Sequence, residues 1–274
     1  MGCGRSGWGV SLSREGWWRG DVWVEGEKVN DTTSYPSMPD LFRDALSGLQ
    51  GGRVLDVATA EGGFIEILMD HLASYTEIVG VDISEEALHA AQARYGQKNV
   101  HLARMDAERF GLSSESFDTV NASASLHHLA HVPQVLAEMV RVLRPGGCLL
   151  LTEMHSDGQT AGQTTTIYLH QWIAAVDEAL GIHHYRTLGR QKILDHVGAL
   201  GLHDVACYDF SDSQSDPLEQ ESLERMRALI DATLERARTT RDAEALELRG
   251  EQLRQRLDQF GTQREPVLLV VGTK

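Results

Sequence analysis

Apolar residues fall into two alternating spacings along most of this chain. Short apolar-rich runs occur at Val54–Val57, Ile78–Val81, Val100–Met105, Phe117–Ala122 and Cys148–Glu153, near-continuous in the first, second and last. Between them, apolar positions recur every three or four residues, as on one face of a helix. Leu41, Phe42, Ala45 and Leu49 set a helix over Met38–Leu49. Phe64, Leu68 and Leu72 set another, and Ala87, Leu88, Ala91 and Tyr95 a third behind the capping residue Ser84. Val135, Leu136, Met139 and Leu143 mark a fourth, over Val132–Leu143, which Pro145-Gly146-Gly147 ends. Strands spaced by helices of this length imply parallel, right-handed crossovers, and strands that are apolar throughout imply a sheet covered on both faces.

Past Glu153 the pattern changes. Residues 154–166 are polar and rich in Thr, Gln and Gly, and read as a loop. Helices are expected at Tyr168–Leu180 and Gln191–Leu200, with strands at Leu202–Phe210 and Pro266–Val271, the last returning beside the sixth. In the charged stretch 217–260, Leu223, Met226, Ile230, Leu234 and Ala237 make one apolar stripe and Leu246, Leu253, Leu257 and Phe260 a second. Two antiparallel helices fit it, either as a lid over a site or as the arm of a homodimer. The expected fold class is α/β: a doubly wound, Rossmann-like seven-stranded sheet, mostly parallel with an antiparallel last strand, plus helical insertions. One domain covers 31–274, with a helical cap segment at 154–188 and a helical hairpin insertion at 217–260. Residues 1–30 hold Trp8, Trp17, Trp18 and Trp23 among glycines and charges with neither period, and read as a poorly ordered extension.

Composition narrows the partners. A net charge of −15 over 274 residues argues against nucleic acid, whose binding needs clustered Lys and Arg. No apolar run approaches a membrane span. Cys3, Cys148 and Cys207 are odd in number and far apart, so neither a disulfide framework nor a zinc spacing is present, and a reducing cytoplasm is the expected setting.

The chemistry concentrates between Arg53 and Asp82. A strand, the small-residue turn Ala58-Thr59-Ala60-Glu61-Gly62-Gly63, a helix and a second strand ending on an acid form a nucleotide-binding half. Small residues let backbone approach a ligand, and a carboxylate at the second strand's end can accept from ribose hydroxyls. The turn lacks the G-x-G-x-x-G of a dinucleotide site, and Glu61 at the helix entrance would repel a diphosphate.

With Val81-Asp82-Ile83-Ser84, Met105-Asp106-Ala107, Phe117-Asp118-Thr119-Val120 through Leu126-His127-His128, and Arg141 through Gly147 in order behind that turn, the chain resembles the class I S-adenosylmethionine-dependent methyltransferases. The likeness is to their small-molecule group, which includes the ubiquinone and menaquinone enzymes, and it spans about residues 50–153. It implies S-adenosylmethionine as cofactor and a small-molecule methyl acceptor. Asp56, Ala58, Thr59, Ala60 and Gly62 would border the methionine and ribose parts, and Asp82 would take the ribose hydroxyls. Ile83 would pack on adenine, Asp106 with Ala107 would meet the adenine amino group, and Ala122 and Ser123 would lie near the sulfonium. The family usually has glycine where Ala58 and Ala60 stand, so this turn either keeps to ordinary φ/ψ space or holds strain.

Methyl transfer needs alignment, a dry site and sometimes a base. Glu153 and His155, after the fifth strand, and His127, after the fourth, are the candidate catalytic residues. His127, His128 and His131 lack a carboxylate pattern that would make them metal ligands, so no metal is expected. His170, His183, His184 and Tyr185 read as polar residues of a connector or lid. The competing readings are an NAD-dependent enzyme on the same sheet and a catalytically silent protein that binds an adenosyl ligand.

Overall fold

The computed structural model describes residues 40–96, 98–211 and 215–274. The expected extension at 1–30 lies outside them, as do the first two residues of the expected leading helix. In chain order the elements are α1 (Asp40–Leu46), β1 (Gln50–Val57), α2 (Gly63–His71), β2 (Ser74–Asp82), α3 (Glu85–Tyr95), β3 (Val100–Arg104), β4 (Phe117–Ser123), a 3-10 turn (Leu126–His128) and α4 (Val132–Val142). There follow β5 (Leu143–Met154), α5 (Ala161–Ala179), α6 (Arg190–Gly198), β6 (His203–Phe210), α7 (Gln220–Ala237), α8 (Ala243–Phe260) and β7 (Val267–Thr273).

The seven strands form one sheet in the order β3-β2-β1-β4-β5-β7-β6. Strands β1 to β5 pair in parallel, and β7 lies antiparallel between β5 and β6. The order reverses beside β1, and the crevice at the carboxyl ends of β1 and β4 is where such sheets take ligands. Alternation along the strands feeds two cores. Leu55, Val57, Leu149, Leu151, Leu268 and Val270 face α4 and α6, while Val54, Ile78, Leu150 and Leu269 face α1, α2 and α3.

The segment read as loop at 154–166 is helical from Ala161. A capping box starts the helix there: Thr160 accepts from the Gln163 N–H, and the Gln163 side chain accepts in return from the Thr160 N–H. The threonines that suggested loop bond back to the turn before them, Thr165 to Ala161 and Thr164 to Thr160. α5 then joins α7 and α8 in a third apolar cluster around Trp172, whose indole N–H donates to the Leu246 carbonyl at 2.9 Å. No helix among the described residues is long and apolar enough to cross a membrane.

Gly250 on α8 is what lets Trp172 in. A β-carbon there would stand 2.6 Å from both Trp172 Cζ2 and Leu234 Cδ2. Glycine to alanine in a helix interior ordinarily stabilises, by about 0.5–1 kcal/mol. Here overpacking, at about 1–3 kcal/mol, should outweigh that gain. Gly250→Ala is therefore expected to lower the urea midpoint, and an unchanged or raised midpoint would show that the cap packs loosely.

Candidate functional site

The turn after β1 is held from beneath by a buried carboxylate. Asp56 is 1% exposed and accepts from Thr59 Oγ1 at 2.5 Å and from Asn121 Nδ2, on β4, at 2.6 Å. Burial pushes its pKa up to about 6; the two hydrogen bonds oppose that rise, and the charge of Asp82 adds to it. Thr59 N–H donates to the Val81 carbonyl, tying the turn to β2. A β-carbon on Gly80 would press on Thr59 at 3.1 Å, so the glycine leaves room for that side chain. Asp56 and Thr59, expected at the cofactor, thus spend their side chains supporting the turn. Their partner Asn121 was not singled out in the sequence because its pairing with Asp56, 65 residues away, depends on β1 and β4 lying side by side.

The turn does hold strain. Ala58 and Ala60 sit at φ 53° and 46°, in the left-handed region that disfavours a β-carbon. What holds Ala60 there is visible: its N–H donates to Asp82 Oδ2 at 2.8 Å, while Asp82 Oδ1 accepts from Ser84 N–H at 2.8 Å. Each carboxylate oxygen has a second lone pair, so Asp82 keeps capacity for two hydroxyls. Gly62 caps α2 in the left-handed conformation, and Tyr95 Oη donates to its carbonyl at 2.9 Å.

Beside this turn the expected binding residues do come together. Met105 N–H donates to the Asp82 carbonyl, which sets the end of β3 against the end of β2. Asp106 is exposed there, and Ile83, next to Asp82, is 64% exposed. A bare isoleucine flanked by two carboxylates suits a flat apolar ring with hydrogen-bond donors at both ends. Ala107 and Ser123 are half-buried nearby in sequence to these strand ends, whereas Ala122 packs wholly within the core and could meet a ligand only through its backbone.

A second group lies past β4 and β5. Glu153, at the end of β5, is 1% exposed. Its Oε2 accepts from the N–H groups of Ser125 (3.0 Å) and Leu126 (2.7 Å), and its Oε1 from His127 Nδ1 (2.9 Å). Burial raises its pKa to about 7 against the pull of those backbone bonds. The carboxylate expected to face a substrate is thus bound on every side by protein. His127, 2% exposed, is held well below the ordinary imidazole pKa by burial and then by His170 and His184. His128 falls to about 3, mainly through burial. His131 points elsewhere and pairs with Glu108 at 2.7 Å, so the three histidines close in sequence do not form one group.

His170 and His184, from α5 and the connector after it, join His127 there, and His128 packs beside His127 and His184 at 4.2 and 4.4 Å between ring centroids. Ring centroids lie 4.8 Å (His127–His170), 5.5 Å (His127–His184) and 5.0 Å (His170–His184) apart. The backbone also joins here, with Tyr185 N–H donating to the His127 carbonyl at 2.6 Å. Asp177 accepts from His184 Nδ1 at 2.6 Å and pairs with Arg236; burial works against its charge, but these two partners outweigh it and hold its pKa down. His155, 4% exposed, is separate: its Nδ1 accepts from Asp157 N–H at 3.4 Å, and burial lowers its pKa.

Part of the chain is similar to known proteins. Residues 55–151 match the family described as a methyltransferase domain. The chain is 38% identical over 115 residues to phthiotriol/phenolphthiotriol dimycocerosates methyltransferase 1 of Mycobacterium ulcerans, over 41% of each chain. It is 32% identical over 115 residues to the ubiquinone/menaquinone biosynthesis C-methyltransferase UbiE of Nitrosospira multiformis, over 41% of this chain and 47% of that one. The match thus spans less than half the length of these curated relatives. Among solved structures, phosphoethanolamine N-methyltransferase 2 of Haemonchus contortus, in complex with S-adenosylhomocysteine, superposes with a TM-score of 0.51 at 17% identity, over 86% of this chain and 52% of that one.

Two predictions follow from the turn. The folded state holds the Asp56 proton more tightly than the unfolded chain, whose carboxyl titrates near 3.8. Its ionisation therefore costs stability, and the cost accrues as pH rises from about 4 to about 6. Asparagine carries no such charge. The stability of Asp56→Asn relative to the native chain should rise over that interval by up to about 3 kcal/mol and then level off, since altered hydrogen bonding adds a constant offset. Urea unfolding across pH checks this, and a pH-independent difference would refute it. Ala60→Gly, which relieves the left-handed strain but gains freedom when unfolded, should stabilise by about 0.5–1 kcal/mol in the same assay; destabilisation would mean that the turn is unstrained.

Proposed function

We propose that this chain, whose residues 55–151 match a methyltransferase domain, is a class I methyltransferase that transfers a methyl group from S-adenosylmethionine to a small-molecule acceptor. The observation that carries the reading is the pair of carboxylates, Asp82 and Asp106, set beside exposed Ile83 at the ends of β2 and β3. In this reading Asp82 holds the ribose hydroxyls, Asp106 the adenine amino group and Ile83 the adenine face. The backbone at Ala58, Ala60 and Gly62, with Ser123, borders the methionyl part. The donor set fits the cofactor: the turn carries no basic side chain for a phosphate, and Glu61 at the entrance to α2 is compatible with a positive sulfonium. S-adenosylmethionine supplies a methyl group on that sulfonium. The protein supplies alignment and exclusion of water.

Glu153 is then a positioning residue. It fixes Ser125, Leu126 and His127 past the end of β4, and through them the wall on which an acceptor would rest. Its burial and its three bonds to protein argue against its acting as a base. His127 stays in the reading as a group on the acceptor side, whereas His155, turned toward Asp157, does not. The relatives' names concern a phthiotriol and a quinone, and both support a small apolar-bodied acceptor. A cytoplasmic setting goes with this reading, supported by Cys148 and Cys207 standing as thiols.

Calorimetry tests it directly. S-adenosylhomocysteine and S-adenosylmethionine should bind the full chain, and NAD should not; the reverse result would replace the reading with a nicotinamide enzyme. Asp82→Ala should weaken adenosyl-ligand binding at least tenfold, about 1.4 kcal/mol, with the circular dichroism spectrum unchanged. Equal affinity in the variant would remove Asp82 from its assigned role.

A further inference from the structure

Three distant stretches of chain each bring one histidine to a single buried point. His127 comes from the turn after β4, His170 from α5, and His184 from the connector between α5 and α6. Each offers one ring nitrogen, and the three nitrogens lie within 4.8 Å of one another. The residues are 2%, 2% and 5% exposed. Three imidazoles make a poor core. Each brings two polar nitrogens that need partners away from water, where leucine would bring none.

The outer sides of the rings show an order that core packing does not require. His127 Nδ1 lies 2.9 Å from Glu153, His184 Nδ1 2.6 Å from Asp177, and His170 Nδ1 3.4 Å from Glu265. Each histidine thus faces a carboxylate, hydrogen-bonded for His127 and His184 and at ion-pair distance for His170, and all three carboxylates are buried. A carboxylate that accepts from Nδ1–H fixes the tautomer that leaves a lone pair on Nε2. That holds for His127 and His184; His170 Nε2 faces His184 Nε2 at 2.9 Å and shares a proton with it.

We propose that His127, His170 and His184 are the ligands of a divalent transition metal, zinc by preference, with a fourth position open to an oxygen or sulfur ligand from outside the chain. Nitrogen donors select against magnesium and calcium, which take oxygen. Zinc–nitrogen bonds of about 2.0–2.1 Å in a tetrahedron put ligand nitrogens about 3.3 Å apart. The 2.9 Å pair and the 4.8 Å limit bracket that value, so a ring adjustment on the order of 1 Å closes the site. Charge points the same way. With all three carboxylates ionised, as a bound cation favours, Glu153, Asp177 and Glu265 carry −3, Arg236 on Asp177 returns +1, and a divalent cation balances the remaining −2. Without metal, one of the two facing Nε2 atoms must carry a proton. With metal, His170 would pass that proton to Nδ1, where Glu265 stands. Histidine ligands backed by carboxylates in this way are a recurring outer shell of metal sites.

Only the identity of the fourth ligand rests on the methyl-transfer reading. In that reading a hydroxyl or thiol acceptor would occupy the position, because three neutral imidazoles leave the metal's charge to favour an anionic oxygen or sulfur.

The full chain, stripped with a chelator, would be titrated with zinc sulfate by calorimetry and with cobalt(II) by visible absorption. One zinc per chain is expected, with Kd at or below about 1 µM. Cobalt should give a four-coordinate spectrum that shifts on adding azide. His170→Asn should lose at least 100-fold in zinc affinity and Glu265→Gln about tenfold, while His131→Asn should change nothing. No uptake by the native chain, or equal affinity in the first two variants, would overturn the proposal, and a cobalt spectrum indifferent to azide would remove the open position. Should His170→Asn fail to fold, Glu265→Gln and the native titration decide. S-adenosylhomocysteine binding, measured on the same preparations, separates the two readings: zinc can fail while the adenosyl ligand binds, and the converse.

Discussion

A carboxylate sealed from water must find hydrogen bonds or give up its charge, and in this fold that demand fixes the ligand-binding turn. Asp56 sits on β1 with a hydroxyl from the turn on one oxygen and an amide from β4 on the other. Neither partner could be replaced by an apolar group without stranding a lone pair, at a cost of about 1–3 kcal/mol. The turn is therefore registered against the two strands that flank the crevice. That register carries Ala58 and Ala60 through backbone conformations alanine disfavours, and it sets the Ala60 N–H on Asp82. Removing the buried charge would release the strain and the alignment together.

The histidine group repeats the logic with the roles exchanged. There the buried carboxylates Glu153, Asp177 and Glu265 lie outside and orient rings that face inward. The two sites share a strand end: Ser123 closes β4 on the turn's side, and Glu153 gathers Ser125 and Leu126 immediately beyond it. The cap is bonded into the same place through Tyr185 and the His127 carbonyl. Movement of the connector would therefore reach the end of β4 directly.

The sheet was legible in the sequence because β1, β2 and β5 carry near-continuous apolar runs and the remaining strands are short apolar-rich segments between helical spacings. The stripes of α7 and α8 were legible too, burying the residues their spacing nominated except Met226 and Phe260, which are half-buried. The start of α5 was not. Threonine and glutamine favour loops until a capping box and back-bonds to the preceding turn recruit them, and those bonds are invisible in composition. The adenosyl-type residues were readable as motifs because they sit at strand ends. The partnership of His127 with His170 and His184 was not, since it depends on how a cap closes over the sheet rather than on any local spacing. His131, the neighbour that sequence offered, turns away to Glu108. The left-handed alanines were half legible: residue type raised the question, and only the bonds around them answered it.

The position of β7 has a consequence for what this scaffold can become. β6 and β7 are antiparallel partners, and Phe210 and Val267 face each other at the point where the chain leaves the sheet for α7 and α8 and later returns. The whole helical pair thus begins and ends at adjacent backbone positions. A splice there asks only that two neighbouring ends be closed, and the entropic cost of closure grows slowly with the length enclosed. The sheet and its turn can stay constant while the cap is lengthened, shortened or exchanged, so that a change in what the cap covers need not disturb the strand ends at Asp56 and Asp82.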